Sequence, residues 1–251
     1  MTSFEVTHTA IYFVKPQEEG QKNIALTFDD GPHGTLTPLL LDVLRDRNAK
    51  ATFFVMGVKV AKHKAVLERA HAEGHEIANH VWDHPVLTKI TRADVIDQLS
   101  RTNEALKETL GMIPKIMRPP YGNTNGKLNE FIQKKGNVSV VMWSLDTLDW
   151  LRPDPKKIVN FTVRKVKIGD IILCHDIHPG TIEVKPTTTI TTFSLSMPVS
   201  IHLSDERRRC SSLFHMNYFH HLFVCLFDCY PWDGVNIERT FHTTYLSPLI
   251  T

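Results

Sequence analysis

Two adjacent carboxylates, Asp29 and Asp30, stand in the run Thr27-Phe28-Asp29-Asp30-Gly31-Pro32, directly after an apolar stretch. Successive side chains of a strand point to opposite faces, so neighbouring acids can serve one site only where the backbone leaves the strand. Gly31 and Pro32 supply that exit. Residues 23–28 read as a buried strand, which puts both acids at its C-terminal end, where α/β proteins assemble their active sites. One carboxylate there can hold a metal while the other moves a proton.

A second chemical signal is His80-Val81-Trp82-Asp83-His84, in which two imidazoles four residues apart would share one helical face, as a metal requires. Such a pair is common by chance, and alone it carries little. Joined with Asp30 it becomes a carboxylate plus two-histidine set, which suits zinc and leaves a coordination position open for water or substrate. Plainer readings exist for each residue. Asp29 and Asp30 could cap a turn. Arg118 could be a surface ion-pair residue, Asp149 could cap a helix starting near Pro153, and Trp150 could be ordinary core. His175 could be satisfied by Asp176, and His178 belongs to a structural loop with Pro179 and Gly180.

These residues need elements to hold them. From residue 23 to about 186 the chain alternates strand-like and helix-like segments, which argues for parallel strands joined by crossover helices, an α/β fold. Leu36, Leu39, Leu40, Val43 and Leu44 recur at helical spacing, with Pro38 tolerated in the first turn. Residues 51–55 read as a strand, 66–72 as part of a helix ended by Gly74, and 76–78 as a short strand. Thr91 with Asp94 forms a capping box for a helix whose apolar stripe is Val95, Leu99, Leu106 and Leu110, with Gly111 as its C-terminal cap. Further strands are expected at Ile116, over 138–143 and over 169–174. Pattern alone does not separate a barrel from an open sheet.

Composition bounds the function. A chain of 251 residues with 42% hydrophobic content suits one large α/β domain with a short appendage. The formal charge of +2 is spread without a dense Lys/Arg block, so nucleic acid is not expected as a partner. Cys174, Cys210, Cys225 and Cys229 do not fix a redox compartment. Cys225 and Cys229 with His220 and His221 lack the spacing of a recognised zinc finger. No secure membrane span is expected: residues 213–230 carry three histidines, an asparagine and an aspartate, each costly in lipid. The first twenty residues lack the basic start and apolar core of a signal peptide, so the chain reads as soluble and unexported.

Five ordered motifs, Thr27 to Pro32, His80 to His84, Arg118 to Tyr121, Asp146 to Trp150 and Leu173-Cys174-His175, resemble those of the polysaccharide deacetylase family. This is the NodB-homology domain, carbohydrate esterase family 4, which includes chitin and peptidoglycan N-deacetylases. The resemblance spans about residues 23–186. It implies a distorted (β/α) barrel of about seven strands that hydrolyses N-acetyl groups on an N-acetylglucosamine polymer or oligomer, releasing acetate. By the same resemblance Asp30, His80 and His84 bind one divalent metal ion, expected to be Zn²⁺ with Co²⁺ or Mn²⁺ as alternatives. Asp29 is then the general base, His175 the acid that protonates the leaving nitrogen, and Arg118 and Asp149 the charged partners of that base and acid. The backbone N–H of Tyr121 would help hold the oxyanion, and Trp150 and Leu173 would wall in the acetyl methyl group.

Two departures from the family bear on activity. Val81 stands where the family usually has Ser or Thr, so a hydroxyl that steadies the loop is missing, and looser metal binding or a shifted loop is expected. After residue 186 the family would supply a helix and a final strand, whereas here residues 187–192 are rich in Thr, and Arg207-Arg208-Arg209 and a His-, Phe- and Cys-dense segment follow. The expected organisation is an N-terminal extension (1–22), a catalytic domain (23–186) and an atypical tail (187–251), read as the product of an altered reading frame or of retained non-coding sequence, with the barrel incompletely closed. A monomer is expected. The family's polymers imply a secreted or wall-associated protein, against the missing signal. Two other functions stay open: a weak or inactive carbohydrate-binding homologue, and a hydrolase of small amides or imides on the same scaffold.

Overall fold

The computed structural model describes residues 10–14, 23–151 and 154–182. Eight strands, β1 (Ala10–Ile11), β2 (Ala25–Asp29), β3 (Thr52–Val55), β4 (Glu76–Asn79), β5 (Ile116–Met117), β6 (Ser139–Val141), β7 (Leu145–Asp146) and β8 (Ile171–His175), form one sheet. Their order is β1-β6-β5-β4-β3-β2-β8-β7, and every ladder is parallel. Between them run α1 (Leu36–Asp46), α2 (Gly57–Val60), α3 (Lys64–Ala72), α4 (Arg92–Leu110), α5 (Gly126–Phe131) and α6 (Pro155–Lys165), with α7 (Pro179–Ile182) after β8.

Strand alternation sorts the side chains into an inside and an outside. Ala25, Phe54, Ala78, Ile116, Val141 and Ile171 meet in an interior cluster. Their neighbours along the strands, Phe28, Phe53, Ile77, Ile172 and Cys174, pack outward with Leu40, Leu41 and Leu44 of α1 and Leu67 and Ala70 of α3. Met117 and Val140 do the same against Val95 and Leu99 of α4 and Leu128 of α5. Both faces are therefore buried, as parallel sheets require.

The sheet must curl. Val141 ends β6 and Leu145 begins β7, four residues on, a reach of at most about 14 Å. In the sheet order those strands are six steps apart, about 29 Å in a flat sheet at ~4.8 Å per step. Only a rolled sheet brings them together, which is the distorted (β/α) barrel. Among the described residues no ladder joins the edge strands β1 and β7. The seam carries a single antiparallel bridge, Phe13 with Asp170, beside the Val14 N–H bond to the Gly169 carbonyl (2.8 Å). Among the described residues the barrel is thus not closed by a ladder; the tail blamed for this lies outside them, as do Cys225, Cys229, His220 and His221.

Several local expectations have their physical basis on view. Thr91 Oγ1 accepts from the Asp94 N–H and Asp94 Oδ2 from the Thr91 N–H, each at 3.2 Å, and Gly111 closes α4 at φ 70°. Asp154, not Asp149, caps α6 by accepting from the Lys156 N–H at 3.0 Å. On α1, Leu41 is buried and Leu39 is 49% exposed, so the apolar stripe is rotated from the one expected. β1 lies within the segment read as an N-terminal extension; two residues are too few for alternation to show in sequence. Among the described residues no helix is long and apolar enough to cross a membrane.

Candidate metal centre and its flanking acid and base

Every site residue named from the sequence lies at the C-terminal rim of the barrel or in its interior just below. Asp29 ends β2, His80 follows β4, Arg118 follows β5, Asp149 lies in the loop after β7, and His175 ends β8. Leu173, two residues before His175, shares its inward face.

His80 and His84 do not share a helical face. They lie in a loop that β4 enters and that bends back through Val81 (φ 59°) and His84 (φ 68°), both left-handed. A short polar network fastens this loop. Asn79 Oδ1 accepts from the Val81 N–H (2.7 Å), and its amide group donates to the Leu99 carbonyl (3.1 Å) and to Asn103 Oδ1 (2.8 Å). Gln98 Oε1 accepts from the N–H groups of Trp82 (2.9 Å) and Asp83 (3.2 Å), and its Nε2 donates to Asp83 Oδ1 (2.7 Å). The Val81 and Trp82 carbonyls accept from the first N–H groups of α2. Val81 itself is fully buried beside Leu87, Val95 and Leu99, so a methyl-bearing side chain fits where a hydroxyl was expected.

Asp30, His80 and His84 offer ligand atoms that lie within 4.8 Å of one another. Asp30 Oδ1 stands 3.4 Å from His80 Nε2 and 3.1 Å from His84 Nε2, yet it is buried with no hydrogen-bond partner. A buried, bare carboxylate oxygen facing two imidazoles fits a cation. His80 Nδ1 lies 2.8 Å from the Arg118 carbonyl, which can only accept, so Nδ1 donates there and Nε2 is the ring nitrogen turned towards Asp30. Burial alone would raise the Asp30 carboxyl; the two imidazoles outweigh it and hold the group well below the usual carboxylate range.

Beside this centre Asp29 Oδ1 accepts from Arg118 Nη1 at 2.7 Å, while Oδ2 faces His80 Nε2 at 3.8 Å. Arg118 is completely buried. Its other donors reach Thr27 Oγ1 (2.8 Å) and the carbonyls of Val141 (3.2 Å) and Met142 (2.9 Å), and its guanidinium lies 4.0 Å from the Phe54 ring centre. Burial lowers its pKa and the Asp29 charge opposes that. It is no surface ion-pair residue.

His175 is held by Asp149 twice, through Nδ1 to Oδ1 and through its backbone N–H to Oδ2, both at 2.7 Å. Thr181 Oγ1 in α7 donates to the same Oδ2 at 2.6 Å. Burial would lower the imidazole pKa, but the Asp149 hydrogen bond and charge, helped by Asp29 and Asp30, raise it to about 9. Asp149 is lowered in turn: burial raises it, and the bonds from His175 and Thr181 outweigh that. Tyr121 (φ 58°) sets its ring against His84, with centroids 4.5 Å apart. Tyr121 and Trp150 are 68% and 55% exposed at the rim, and Leu173 is buried beneath. His178 packs edge-on against His175 and is outside the metal group.

Among the described non-glycine residues with left-handed backbone, Asp30, Val81, His84, Tyr121 and Leu148 are in or beside this site; the others are Asn48 and Asn137, a residue type that tolerates it. Sequence reasoning missed Asn79, Gln98, Thr27 and Thr181. Gln98 carried a signal, a polar side chain at the buried phase of the α4 stripe between Val95 and Leu99.

The polysaccharide deacetylase family model matches residues 17–140. The chain is 39% identical over 173 residues to peptidoglycan-N-acetylglucosamine deacetylase PgdA of Listeria monocytogenes, covering 69% of this chain and 36% of that protein. It is 38% identical over 161 residues to a chitooligosaccharide deacetylase of Bradyrhizobium sp., covering 64% of this chain and 73% of the relative. Among solved structures it is similar to a CE4 family pseudoenzyme from Bacillus anthracis, with TM-score 0.65, 26% identity, and 71% and 62% of the two chains covered. The chain thus spans little more than a third of the Listeria relative. With ordered motifs gathered on one rim and a relative matched over most of its length, the chain belongs to the polysaccharide deacetylase family.

Proposed function

We propose that this chain removes N-acetyl groups from N-acetylglucosamine residues of a chitin-like or peptidoglycan-like polymer, with one divalent metal ion, zinc by preference, held by Asp30, His80 and His84. The observation that carries the reading is the bare, buried Asp30 Oδ1 facing two imidazoles, flanked by a carboxylate on one side and an imidazole of raised pKa on the other. When bound, the ion supplies a Lewis acid for the acetyl carbonyl and makes water a better nucleophile.

The protein groups divide the proton traffic. Arg118 occupies Asp29 Oδ1, leaving Oδ2, which faces the metal group, to take the proton of the attacking water. Asp149 occupies His175 Nδ1, leaving Nε2–H to protonate the departing nitrogen. An amine leaves poorly without that proton. The Tyr121 N–H is assigned here as an oxyanion donor, and Trp150 with Leu173 as the wall around the acetyl methyl, where size selects the acyl group by about 1 to 3 kcal/mol per methylene.

Exposed Tyr121 and Trp150 at the rim favour a long polymer over a small amide or imide, which calls for an enclosed groove. Likeness to a pseudoenzyme keeps a binding-only homologue as the second reading. Acetate release separates the readings: chitin oligomers and peptidoglycan fragments are compared with small amides, before and after chelation and zinc restoration. Zinc-dependent acetate from the oligomers alone is expected. Turnover of the small amides alone, or oligomer binding without acetate from zinc-loaded protein, would overturn it.

A further inference from the structure

Asp176 follows His175 at the end of β8 and is completely buried, yet the division of labour above leaves it no part. Its Oδ2 accepts from Thr37 Oγ1 in α1 at 2.5 Å, and that hydroxyl oxygen accepts from the His33 N–H at 2.8 Å. Its Oδ1 is buried without a partner. Leaving a buried carboxyl oxygen bare is costly, and an apolar side chain of similar size would avoid the cost. Stability alone therefore does not account for this residue.

The geometry of Gly31 supplies an account. A Cβ at residue 31 would lie 2.2 Å from Asp176 Oδ2 and 2.3 Å from Oδ1, so the carboxyl rests directly on the bare face of the glycine. Gly31 is absent from the glycines with left-handed backbone, so it is the carboxyl that excludes a side chain there. The same turn is fastened elsewhere by Lys59 Nζ, which donates to the Asp30 carbonyl at 2.7 Å, and by the Met56 N–H, which donates to the Gly31 carbonyl at 3.0 Å. Asp176 is the contact in this set that comes from β8, the strand that carries His175.

We infer that Asp176 is a positioning residue, keying the Asp29-Asp30-Gly31 turn to the end of β8 so that the proton acceptor and the proton donor keep their separation. The inference rests on the deacetylase reading. An ångström of misplacement is enough to lose about a hundredfold in rate.

The test uses the full chain, loaded with zinc for kinetics and with cobalt for spectroscopy. Asp176→Ala is expected to lower kcat about 10- to 100-fold with KM within about twofold, to hold metal stoichiometrically, and to shift the visible cobalt bands. Asp176→Asn, which keeps the shape and an acceptor for Thr37, is expected to restore kcat to within about threefold. Gly31→Ala is expected to act like Asp176→Ala, and the double variant, in which the added methyl fills the vacated space, to be better than Gly31→Ala alone. Should Gly31→Ala be harmless, or the two changes simply add in both kcat and cobalt spectrum, the keying idea is wrong. A wild-type protein silent towards oligosaccharides would remove the deacetylase reading only, because the cobalt bands of the variants still decide on the contact.

Discussion

Asp29 and His175 are register partners on the adjacent parallel strands β2 and β8. Their backbones are therefore about 4.8 Å apart and, at the same pleat, both side chains point into the barrel mouth. The two groups proposed above for opposite proton transfers thus stand side by side, and each is pinned at one atom by a charged partner: Asp29 by Arg118, His175 by Asp149. The pinned atoms leave Asp29 Oδ2 and His175 Nε2 for chemistry.

Asp29→Asn should lower kcat by about 10²- to 10⁴-fold while leaving one metal ion per chain, because the amide cannot take a proton and the ligands are untouched. Metal content and acetate release are measured on one preparation. Wild-type turnover in the variant would contradict the base assignment.

The His175 pKa is raised to about 9, so its protonated form persists through neutral pH and the alkaline limb of kcat should fall near pH 9. A raised pKa also means that this group's contribution to stability is fully present below its unfolded value of about 6.5 and is lost as pH rises through about 9. A bound cation offsets the help from Asp29 and Asp30, which leaves Asp149 as the main partner. Asp149→Asn should therefore move the alkaline limb of the kcat profile down by at least about one pH unit. An unmoved limb argues against the pair.

Gln98 bridges α4 to the loop that carries both histidines. Gln98→Ala should weaken zinc affinity about 10- to 100-fold, the usual effect of removing a group that orients ligands. Competition with a chromophoric chelator measures it, and wild-type affinity would show that the loop stands without the bridge.

Arg118→Met leaves the buried Asp29 charge without its partner and should cost about 3 to 5 kcal/mol of folding stability. Urea unfolding of the metal-free protein reads this directly. A loss below about 1 kcal/mol would mean that Asp29 finds another partner or protonates.

Much of the fold was legible because the carriers are periodic or chemically singular. The capping box at Thr91, the glycine stop at Gly111 and the apolar runs of β2, β3 and β8 announce themselves by type and spacing. The Asp30, His80 and His84 group was legible only jointly: an acid pair at a turn and two histidines four apart are each common, and it is their combination within five ordered motifs that is not. What was not legible is short or tertiary in origin. β1 and β7 have two residues each, below any period, and exist because neighbouring strands offer hydrogen bonds. The histidine spacing suggested a helix, whereas the loop geometry depends on Gln98 and Asn79, whose partners lie on α4. The twist of the α1 stripe from Leu39 to Leu41 is decided by what packs beneath, which no single-helix pattern contains.

The three residues between β6 and β7 cross the seam of the rolled sheet as covalent chain, where hydrogen bonding is sparse. Arg118 grips the carbonyls on either side of that crossing's start, Val141 and Met142, while its other arm holds Asp29. A scission or a one-residue insertion at this belt buckle would thus be transmitted straight to the carboxylate across the barrel. Chain length is fixed here as strictly as side-chain identity is fixed at the rim.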